Sequence, residues 1–402
     1  MTELDKMLTI DNDSGEGVMV LNMGPQHPST HGVLRIILKL AGEVVIDAVP
    51  VIGYLHRGIE KLMENKTYHQ AITLTDRFDY LSPLSNNLAY CLAVEKLLSL
   101  QVPPRGQVLR VILAELTRIQ SHLIWLGTQA NDIGAITPLL YTFREREELL
   151  DLFEMAGGSR MHTSYIRIGG LMKDVPPEFM PKVKSFCDTL LPLMKDYEGL
   201  LTKNPIWELR TRGVGVISAE DAINIGLCGP TLRGSGVAHD LRKSNPYCGY
   251  EEYQFDVPVE TAGDVYARYL VRLEEIRQSR GILQQAMAKL PGGPINAPIS
   301  QVVPPEKERV VGDIESLINQ FHIMVEGFKV PAGEVYFALE SPRGELGYYI
   351  RSDGSEKPYR IKVRTPSFAN LQALPALVKG RLMADIVAVI GSIDIVLGDV
   401  DK

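Results

Sequence analysis

Residues 17–53 read GVMVLNMGPQHPSTHGVLRIILKLAGEVVIDAVPVIG, and this stretch decides how the chain begins to fold. Three segments rich in Val, Ile and Leu are separated by GPQHPSTHG and by the short turn Ala41-Gly42-Glu43. Apolar β-branched runs bounded by Gly, Pro and Asn are typical of strands, and a short turn between two of them predicts a hairpin. Residues 17–50 are therefore predicted to form a small β-sheet.

Beyond this stretch the hydrophobic pattern changes from strand-like to helical. Ile59, Leu62 and Met63 follow the i, i+3, i+4 spacing of one helix face. Helical patterns then dominate to about residue 330, at 85–100, 106–130, 138–157, 177–203, 260–290 and 306–328. Residues 204–258, rich in Gly, Pro and Tyr, predict an ordered irregular region.

The C-terminal part returns to strand patterns. The segments EVYFALE, ELGYYIRSDG and PYRIKVR predict three strands, with a hairpin turn at Asp353-Gly354. A last helix is predicted over about 372–390, and the apolar tail SIDIVLGDVDK is expected to pack inside the protein. The prediction is an α+β protein with a central helical bundle and small N- and C-terminal β-sheets. Its three segments, 1–70, 71–330 and 331–402, are expected to form one domain.

Composition excludes several classes of protein. The 402 residues carry a net charge of −7 and no block of Lys and Arg, so nucleic acid is not expected as a partner. No stretch of about 18 uncharged apolar residues is present, and the acidic N-terminus lacks an apolar signal core. The four cysteines form no CxxC pair, which indicates buried thiols rather than disulfides or an iron–sulfur site within this chain. No strand–GxGxxG–helix unit is present to bind NADH.

The segment GPQHPSTHG at 24–32 is the most informative for function. It places His27 and His31 four residues apart, but Pro28 and Gly32 argue against the helix that would aim both rings at one metal ion. A zinc pair and satisfied structural histidines both remain open on spacing alone. The position between two apolar strands favours a functional loop, since such a turn can aim an imidazole into a cleft.

Other segments place charged, hydroxyl and aromatic side chains together near glycines or at helix ends. Each is equally compatible with a helix cap, a turn or a solvated surface when taken alone. They are DRFDYLSP at 76–83, GTQANDIG at 127–134, GYLHRGIEKL at 53–62, GGSRMHTSYIR at 157–167 and ESPRGELGYY at 340–349. Spacing alone therefore yields no function for them.

Taken together, the segments resemble one family. GPQHPSTHGVLR, GYLHRGIEKL, DRFDYLSP, NDIGAITP, FREREELLDLFE, GGSRMHTSYIRIGG, ESPRGELG and SIDIVLGDVDK stand in the order found in the 49-kDa, or D, subunit of respiratory complex I. That family is related to the large subunit of nickel–iron hydrogenases, so the resemblance implies a hydrogenase-like fold. It covers the chain from about Val18 to Lys402.

The chain departs from hydrogenases where these hold their metal. Hydrogenase large subunits use two cysteine pairs, whereas the matching segments here have Asp79 and Ser82 near the N-terminus and Val396 and Asp399 near the C-terminus. A nickel–iron centre needs soft thiolate ligands, and valine cannot ligate a metal. The resemblance therefore implies no nickel–iron centre and a cavity open to another redox substrate.

In complex I that substrate is a quinone. The resemblance implies that His31 and Tyr80 hydrogen-bond the two quinone carbonyls and that Asp132 pairs with His31, with all three acting in catalysis. Thr128 would line the same quinone-binding chamber. A quinone takes up two electrons and two protons; with ordinary pKa values of about 6.5 and 10, His31 would release a proton readily and Tyr80 only to a strongly basic reduced quinone. Loss of that proton beside Asp132 would start the signal for proton pumping.

A second set of residues is implied to face the electron donor. Arg57, Arg77 and His162 would lie against the terminal iron–sulfur cluster, which the neighbouring B subunit carries. This chain would bind no cofactor by itself and would be inactive alone. The other expected partners are the C and I subunits and the membrane-arm H and A subunits. The resemblance places the protein at the cytoplasmic face of the bacterial inner membrane, as a peripheral subunit.

Three alternatives stand beside the NADH-fed quinone reductase. A hydrogenase or hydrogenase-related membrane complex would need the cysteine pairs. A scaffold protein that kept only the fold would be expected to lose His31, Tyr80 and Asp132, which are present. The homologous subunit of a ferredoxin-fed photosynthetic complex shares the first loop and the tail, so the electron donor is less constrained than the acceptor.

Overall fold

A computed structural model describes residues 17–402. The N-terminal segment forms an antiparallel sheet of three strands, β1 (Val18–Met23), β2 (Arg35–Ala41) and β3 (Val44–Val51), in that order. The hairpin predicted at residues 41–43 is confirmed. The buried face carries Ile36, Leu38 and Leu40 of β2, whereas Met19 and Val20 of β1 are exposed.

Helices make up most of the chain between the two larger sheets, which confirms the mixed helix and sheet class. They are α1 (Ile59–Glu64), α2 (Tyr68–Thr75), α3 (Pro83–Leu98), α4 (Pro104–Asp132), α5 (Ile136–Gly157), α6 (Phe179–Leu201), α7 (Pro205–Thr211), α8 (Ala219–Ile225), α9 (Gly229–Arg233), α10 (Leu241–Ser244), α11 (Val265–Lys289), α12 (Lys307–Gly312) and α13 (Ile314–Phe321). A two-stranded ribbon, β4 (Ile166–Arg167) and β5 (Gly170–Leu171), lies between α5 and α6. None of the helices within residues 17–402 is long and apolar enough to cross a bilayer.

Helix α4 lies at the centre of the bundle. It contacts α3, α5 and α11, and most of its side chains from Leu109 to Gln129 are buried, polar ones included. A helix that is buried on nearly all sides must pair its polar groups internally. Here this is done by ion pairs with neighbouring helices, such as the buried pair Arg110–Glu95 at 2.6 Å.

The C-terminal sheet packs on the bundle. Strands β6 (Gly333–Ser341), β7 (Gly344–Ser352) and β8 (Arg360–Arg364) form an antiparallel sheet that contacts α3. Asp353-Gly354 lies in the connection between the antiparallel strands β7 and β8, as predicted. The tighter turn, Pro342-Arg343, joins β6 to β7 and points into the protein, because Arg343 is 1% exposed.

The end of the chain returns to the N-terminal sheet. Short helices α14 (Pro366–Leu371), α15 (Leu374–Val378), α16 (Asp385–Ile393) and α17 (Leu397–Val400) share one apolar core with β2 and β3. Val396, Leu397 and Val400 are buried, and the tail is docked inside the protein as expected.

Three predicted segments differ from the structure. The helix expected over 372–390 is broken, because the backbone of residues 380–383 leaves the helix to pair with the edge of β3; the Gly380 N–H donates to the Val45 carbonyl at 2.7 Å. The helix expected over 306–328 is divided at Asp313, whose carboxylate caps α13, and it ends in a π turn at His322–Glu326. The irregular region 204–258 contains the four short helices α7 to α10 and a 3₁₀ turn at Tyr250–Glu252.

Candidate functional site

The loop between β1 and β2 contains a 3₁₀ turn at Pro28–Thr30. The Nδ1 atom of His27 accepts from the Ser29 N–H at 3.2 Å and caps this turn. His31 ends it in the left-handed region, at φ +55°. His27 is thus tied to its own turn, which answers the zinc alternative with a structural role. His31 is held in a conformation that non-glycine residues rarely adopt, a kind of strain that clusters at functional sites.

The C-terminal tail lies directly on the segment that contains Tyr80. A Cβ atom placed on Gly398 would lie 2.6 Å from the Phe78 carbonyl oxygen and 3.2 Å from the Arg57 Nη2 atom, so only glycine permits this approach. The tail is tied down further by Asp401, whose carboxylate accepts from the Gly53 and Leu55 N–H groups at 2.8 and 2.7 Å. Segments near residues 55, 78 and 400 therefore meet at one place.

Arg343 lies beneath this contact. Its Nη1 atom donates to Asp79 Oδ2 at 2.5 Å, its Nη2 atom donates to Asp394 Oδ1 at 3.3 Å, and its Nε atom donates to the Asp394 carbonyl at 2.9 Å. Asp399 is fully buried and close enough for its charge to affect the pKa of Arg343. We refer to Asp79, Arg343, Asp394 and Asp399 as the Arg343 cluster.

His31 and Tyr80 both neighbour Arg343. Desolvation and the positive charge of Arg343 lower the pKa of His31, so its imidazole is neutral at pH 7. Desolvation and the neighbouring Asp79 raise the pKa of Tyr80, against the opposing effect of Arg343 and Arg57, so its phenol keeps its proton. Tyr80 is half-buried and His31 reaches the surface. Each presents a neutral N–H or O–H group beside one guanidinium.

For this chain by itself the lowered pKa of His31 does not support a readily released proton, and both that role and the pairing of His31 with Asp132 stay predictions. Within residues 17–402 no ion pair joins these two side chains. The charge that Asp132 faces is that of His27, which opposes the rise in the Asp132 pKa caused by burial. The charged group that affects the pKa of His31 is Arg343.

Helix α4 brings Asp132 and Thr128 to the same side of the molecule. The end of α4 packs on α16, where the Trp125 indole donates to the Gly391 carbonyl at 2.6 Å, and α16 in turn contacts the 3₁₀ turn of the first loop. Thr128 is exposed, and its hydroxyl donates to the Ile124 carbonyl at 3.0 Å. Asp132 lies close enough to His27 to feel its charge, and Thr128 lies one helical turn before Asp132 on α4.

Arg57, Arg77 and His162 are also brought together. Arg57 donates to the Arg77 carbonyl at 2.6 Å, and both arginines are exposed. Desolvation and the charge of Arg77 lower the pKa of His162, while Asp76 opposes this shift. Arg57 and Arg77 form a positively charged surface next to the Tyr80 segment, and His162 lies close enough to feel the charge of Arg77.

The residues at the positions of hydrogenase cysteines do not form a metal site. Asp79 and Asp399 belong to the Arg343 cluster, the Ser82 hydroxyl donates to Ser85 at 2.8 Å, and the Val396 N–H donates to Ser367. The four cysteines are free, and burial raises the pKa of each thiol, to about 11 for Cys228. Protonated thiols and carboxylates held by an arginine do not supply the soft donors that nickel requires.

Sequence reasoning missed the role of Arg343 and of the two tail carboxylates. Arg343 was considered only as part of the segment ESPRGELGYY, and Asp394 was not singled out. A signal was present: Asp394, Asp399 and Asp401 occur in a tail that is otherwise apolar and was expected to be buried. Buried carboxylates require a cation or hydrogen-bond donors, and an arginine at an apolar hairpin tip is such a partner.

Comparison with known proteins shows which family this chain belongs to. The model of a family described as the 49-kDa subunit of the respiratory-chain NADH dehydrogenase matches residues 132–402. The D 2 subunit of NADH-quinone oxidoreductase from Koribacter versatilis is 59% identical over 96% of this chain and 96% of its own length. The D subunit from Geotalea uraniireducens is 58% identical over 96% of this chain and 99% of its own. The D 1 subunit from Solibacter usitatus is 55% identical over 100% and 99%.

Proposed function

Because this chain belongs to the family of the 49-kDa subunit of the respiratory-chain NADH dehydrogenase, we propose that it is the quinone-binding subunit of a proton-translocating NADH:quinone oxidoreductase. It would form, with a neighbouring B subunit, the chamber in which quinone is reduced. The names of the relatives support an enzyme that uses NADH and a quinone. They favour this donor over ferredoxin, and the absence of matching cysteines disfavours a hydrogenase.

The observation that carries the proposal is the meeting of His31 and Tyr80 at Arg343. They lie 49 positions apart in the sequence and belong to different elements, yet both pKa values respond to this one guanidinium. Neither side chain hydrogen-bonds another residue among those the structure describes. Two neutral donors with unused hydrogen-bonding capacity are suited to the two carbonyl oxygens of a quinone ring.

The chemistry of the two donors follows from their protonation. Quinone reduction consumes two electrons and two protons, and the electrons would arrive from the iron–sulfur cluster of the B subunit. The neutral His31 N–H would hold one carbonyl oxygen and the Tyr80 O–H the other. Tyr80 would release its proton only when the reduced ring becomes strongly basic, because burial and Asp79 raise its pKa. Arg343 would favour negative charge on the ring.

Asp132 and Thr128 would complete the rim of the chamber. Asp132, which we had expected to touch His31, would act through His27, whose ring caps the turn that positions His31. Thr128 would contact quinone through its methyl group, because its hydroxyl is engaged within α4. Both are positioning roles in this proposal.

Neighbouring subunits would close the chamber. Ile136 and Leu140 follow Asp132 on α5 with 60% and 63% of their surface exposed, one helical turn apart. Exposed apolar residues that share one helix face are typical of a protein interface. The B subunit would approach the surface formed by Arg57, Arg77 and His162, where positive charge would stabilise a reduced cluster. The C, I, H and A subunits are the further proposed partners, and the complex would place this chain at the cytoplasmic face of the inner membrane.

The three segments 1–70, 71–330 and 331–402 would form a single hydrogenase-like unit. Support comes from the shared core of the N-terminal sheet and the C-terminal helices, which ties the two ends of the chain together. The Arg343 cluster would occupy the position at which hydrogenase large subunits hold their nickel–iron centre.

Substitution of Tyr80 tests the proposal. In the assembled complex, Tyr80→Phe removes the phenolic proton and keeps the ring, so we expect NADH-driven quinone reduction to fall about 10²-fold. Reduction of an artificial acceptor that takes electrons before the quinone should stay at the wild-type rate. Tyr359→Phe is the matched control, since Tyr359 is 61% exposed and lies outside the Arg343 region. Equal quinone rates in all three complexes would refute the proposal.

A further inference from the structure

Three carboxylates share the single arginine of the Arg343 cluster. Asp79, Asp394 and Asp399 are 2%, 7% and 0% exposed, and Arg343 is 1% exposed. Arg343 bonds directly to Asp79 and Asp394, as described above. Asp399 is held by a backbone group instead, the Ser367 N–H, which donates to its Oδ2 atom at 3.0 Å.

The surroundings do not neutralise this excess of acid. Arg272 faces Asp394 from α11 and supplies the second nearby guanidinium. The remaining titratable groups that face Asp399 are the buried phenol of Tyr348 on β7 and the half-buried amine of Lys402. Three ionised carboxylates face two buried arginines, and the further cation, Lys402, is half-buried and donates to the Val363 carbonyl at 2.8 Å, so ionising all three is costly away from water. A retained proton removes that cost.

Two oxygen atoms have room for such a proton. Asp399 Oδ1 and Asp394 Oδ2 are buried and, among residues 17–402, have no hydrogen-bond partner. A buried carboxylate oxygen without a donor is unfavourable, whereas a protonated carboxyl group needs fewer donors. Of the two aspartates, Asp394 bonds to Arg343 and Asp399 does not, so Asp399 is the better holder of the proton.

We propose that Asp399 stores a proton that returns to Tyr80 after Tyr80 has protonated the reduced quinone. This inference rests on the proposed function. Asp79 adjoins Tyr80 in the chain, and its charge affects both Tyr80 and Asp399, so it is the group common to the donor and the store. Asp399 touches no substrate and is a positioning residue that acts through Tyr80.

The transfer balances without a further reactant. The O–H bond of the Asp399 carboxyl group breaks, an O–H bond forms on the Tyr80 phenolate, and the negative charge moves from the phenolate to the cluster. No electron is transferred in this step. Burial and Asp79 raise the pKa of Asp399 to about 7, which leaves it able both to hold and to release a proton near neutrality. Neutral His31 cannot fill this role, because its pKa is lowered.

The test compares Asp399→Asn with wild type in the assembled complex. Asparagine keeps an oxygen for the Ser367 N–H and removes the titrating proton. The wild-type rate of quinone reduction should fall as pH rises through about 7, because Asp399 loses its proton there. The variant should be about 10-fold slower below pH 7 and flat through that range. Asp399→Glu should restore the slope.

A spectroscopic readout separates the store from a structural role. The infrared carbonyl band of a protonated carboxyl group should be lost on quinone reduction in wild type and be absent from Asp399→Asn. Asp401→Asn is the matched control, since Asp401 docks the same tail through Gly53 and Leu55 but lies outside the cluster. If Asp401→Asn reproduces the loss, or if the ratio of wild-type to Asp399→Asn rates is the same at every pH, the store is refuted.

Failure of the store can be told from failure of the quinone site. Labelling of this chain by a photoreactive quinone analogue should be equal in wild type and Asp399→Asn, and reduced in Tyr80→Phe. Normal labelling with an unchanged pH profile in Asp399→Asn would overturn the store alone. Labelling that is insensitive to Tyr80→Phe would overturn the proposed function itself.

Discussion

Two groups of buried charges in this protein are made from the same residue types and behave in opposite ways. The first, which we call the helical-core cluster, lies between α4, α11 and β6. Two of its arginines, Arg233 and Arg242, each bind more than one carboxylate: Arg233 lies 2.6 Å from Glu275 and 2.8 Å from Glu340. Its members are Glu115, Arg118, Arg233, Asp240, Arg242, Glu275 and Glu340.

The pKa values of the two clusters move in different directions. Neighbouring arginines hold the pKa values of Glu115, Asp240 and Glu275 below their usual range despite burial, and only Glu340 is raised. In the Arg343 cluster burial dominates, and the pKa values of Asp394 and Asp399 are raised. Burial is equal in the two places. What differs for Asp399 is direct pairing, because Glu115, Asp240 and Glu275 each accept from a guanidinium group whereas Asp399 accepts from a backbone N–H.

Removing an arginine from the helical-core cluster should have the largest effect. Arg233→Met leaves Glu275 and Glu340 without their main counter-charge, so we expect a loss of about 3–5 kcal/mol in stability. The measurement is thermal unfolding of the purified complex, followed by loss of this chain from it. Poor assembly of the variant would be a further sign of the same loss.

The control for that substitution is an exposed ion pair. Arg212 binds Glu208 on the surface at 3.0 Å, and Arg212→Met should change stability far less than Arg233→Met. Equal losses from Arg233→Met and Arg212→Met would show that the helical-core cluster does not depend on its arginines, and the comparison would fail.

The Arg343 cluster should make the folded protein less stable as pH rises. A folded-state pKa of about 7 lies above the unfolded value of 3.8, so wild type loses stability as pH rises from about 4 through 7. Asp399→Asn lacks this loss. Between pH 5 and pH 8.5 the variant should gain on the order of 3 kcal/mol relative to wild type, measured by thermal unfolding at both pH values.

A variant of the helical-core cluster should change stability in the opposite direction. Glu275→Gln removes a carboxylate whose pKa is lowered by Arg233, so it should be destabilising throughout this pH range. If Asp399→Asn and Glu275→Gln were equally destabilising at pH 8.5, the two clusters would not differ in the way described.

The sequence predicted those elements whose signals are local. Strands β1 to β3 and β6 to β8 follow from alternation and turn residues, and α4 follows from a long apolar period, because these signals are local. The break at residues 380–383 was missed, since it depends on pairing with Val45, more than 300 residues away. Local patterns carry no record of such a partner.

The same difference between local signals and long-range partners applies to the candidate site. The structure places the segments that contain Tyr80 and His162 side by side, and the functional roles of His31, Tyr80 and His162 stay predictions. The partner of each charge was not predictable, because it depends on which side chain the tertiary fold places nearby. Asp132 faces His27 rather than His31, and Arg343 gathers residues 79, 394 and 399.

Acid should destabilise the helical-core cluster through His122. Its Nε2 atom lies 2.8 Å from Glu275, and burial lowers its pKa to about 4, although Glu275 opposes that shift. Since the folded pKa lies below the unfolded value of 6.5, stability is lost as pH falls between these values. His122→Gln does not titrate there, so wild type should lose about 2 kcal/mol more than the variant between pH 8 and pH 5. An equal loss of stability in wild type and His122→Gln between pH 8 and pH 5 would contradict this.

The smallest expected effect tests what sets the pKa of Asp399. Ser367→Ala removes the hydroxyl that accepts from the Val396 N–H at 3.3 Å, but it keeps the backbone N–H that donates to Asp399. We expect a loss of about 1 kcal/mol, the cost of one hydrogen bond, in thermal unfolding. The Ser367 side chain also lowers the pKa of Asp399, so its removal should move the midpoint of the alkaline loss of stability above pH 7. An unchanged midpoint would show that burial and Asp79, without the Ser367 side chain, set this pKa.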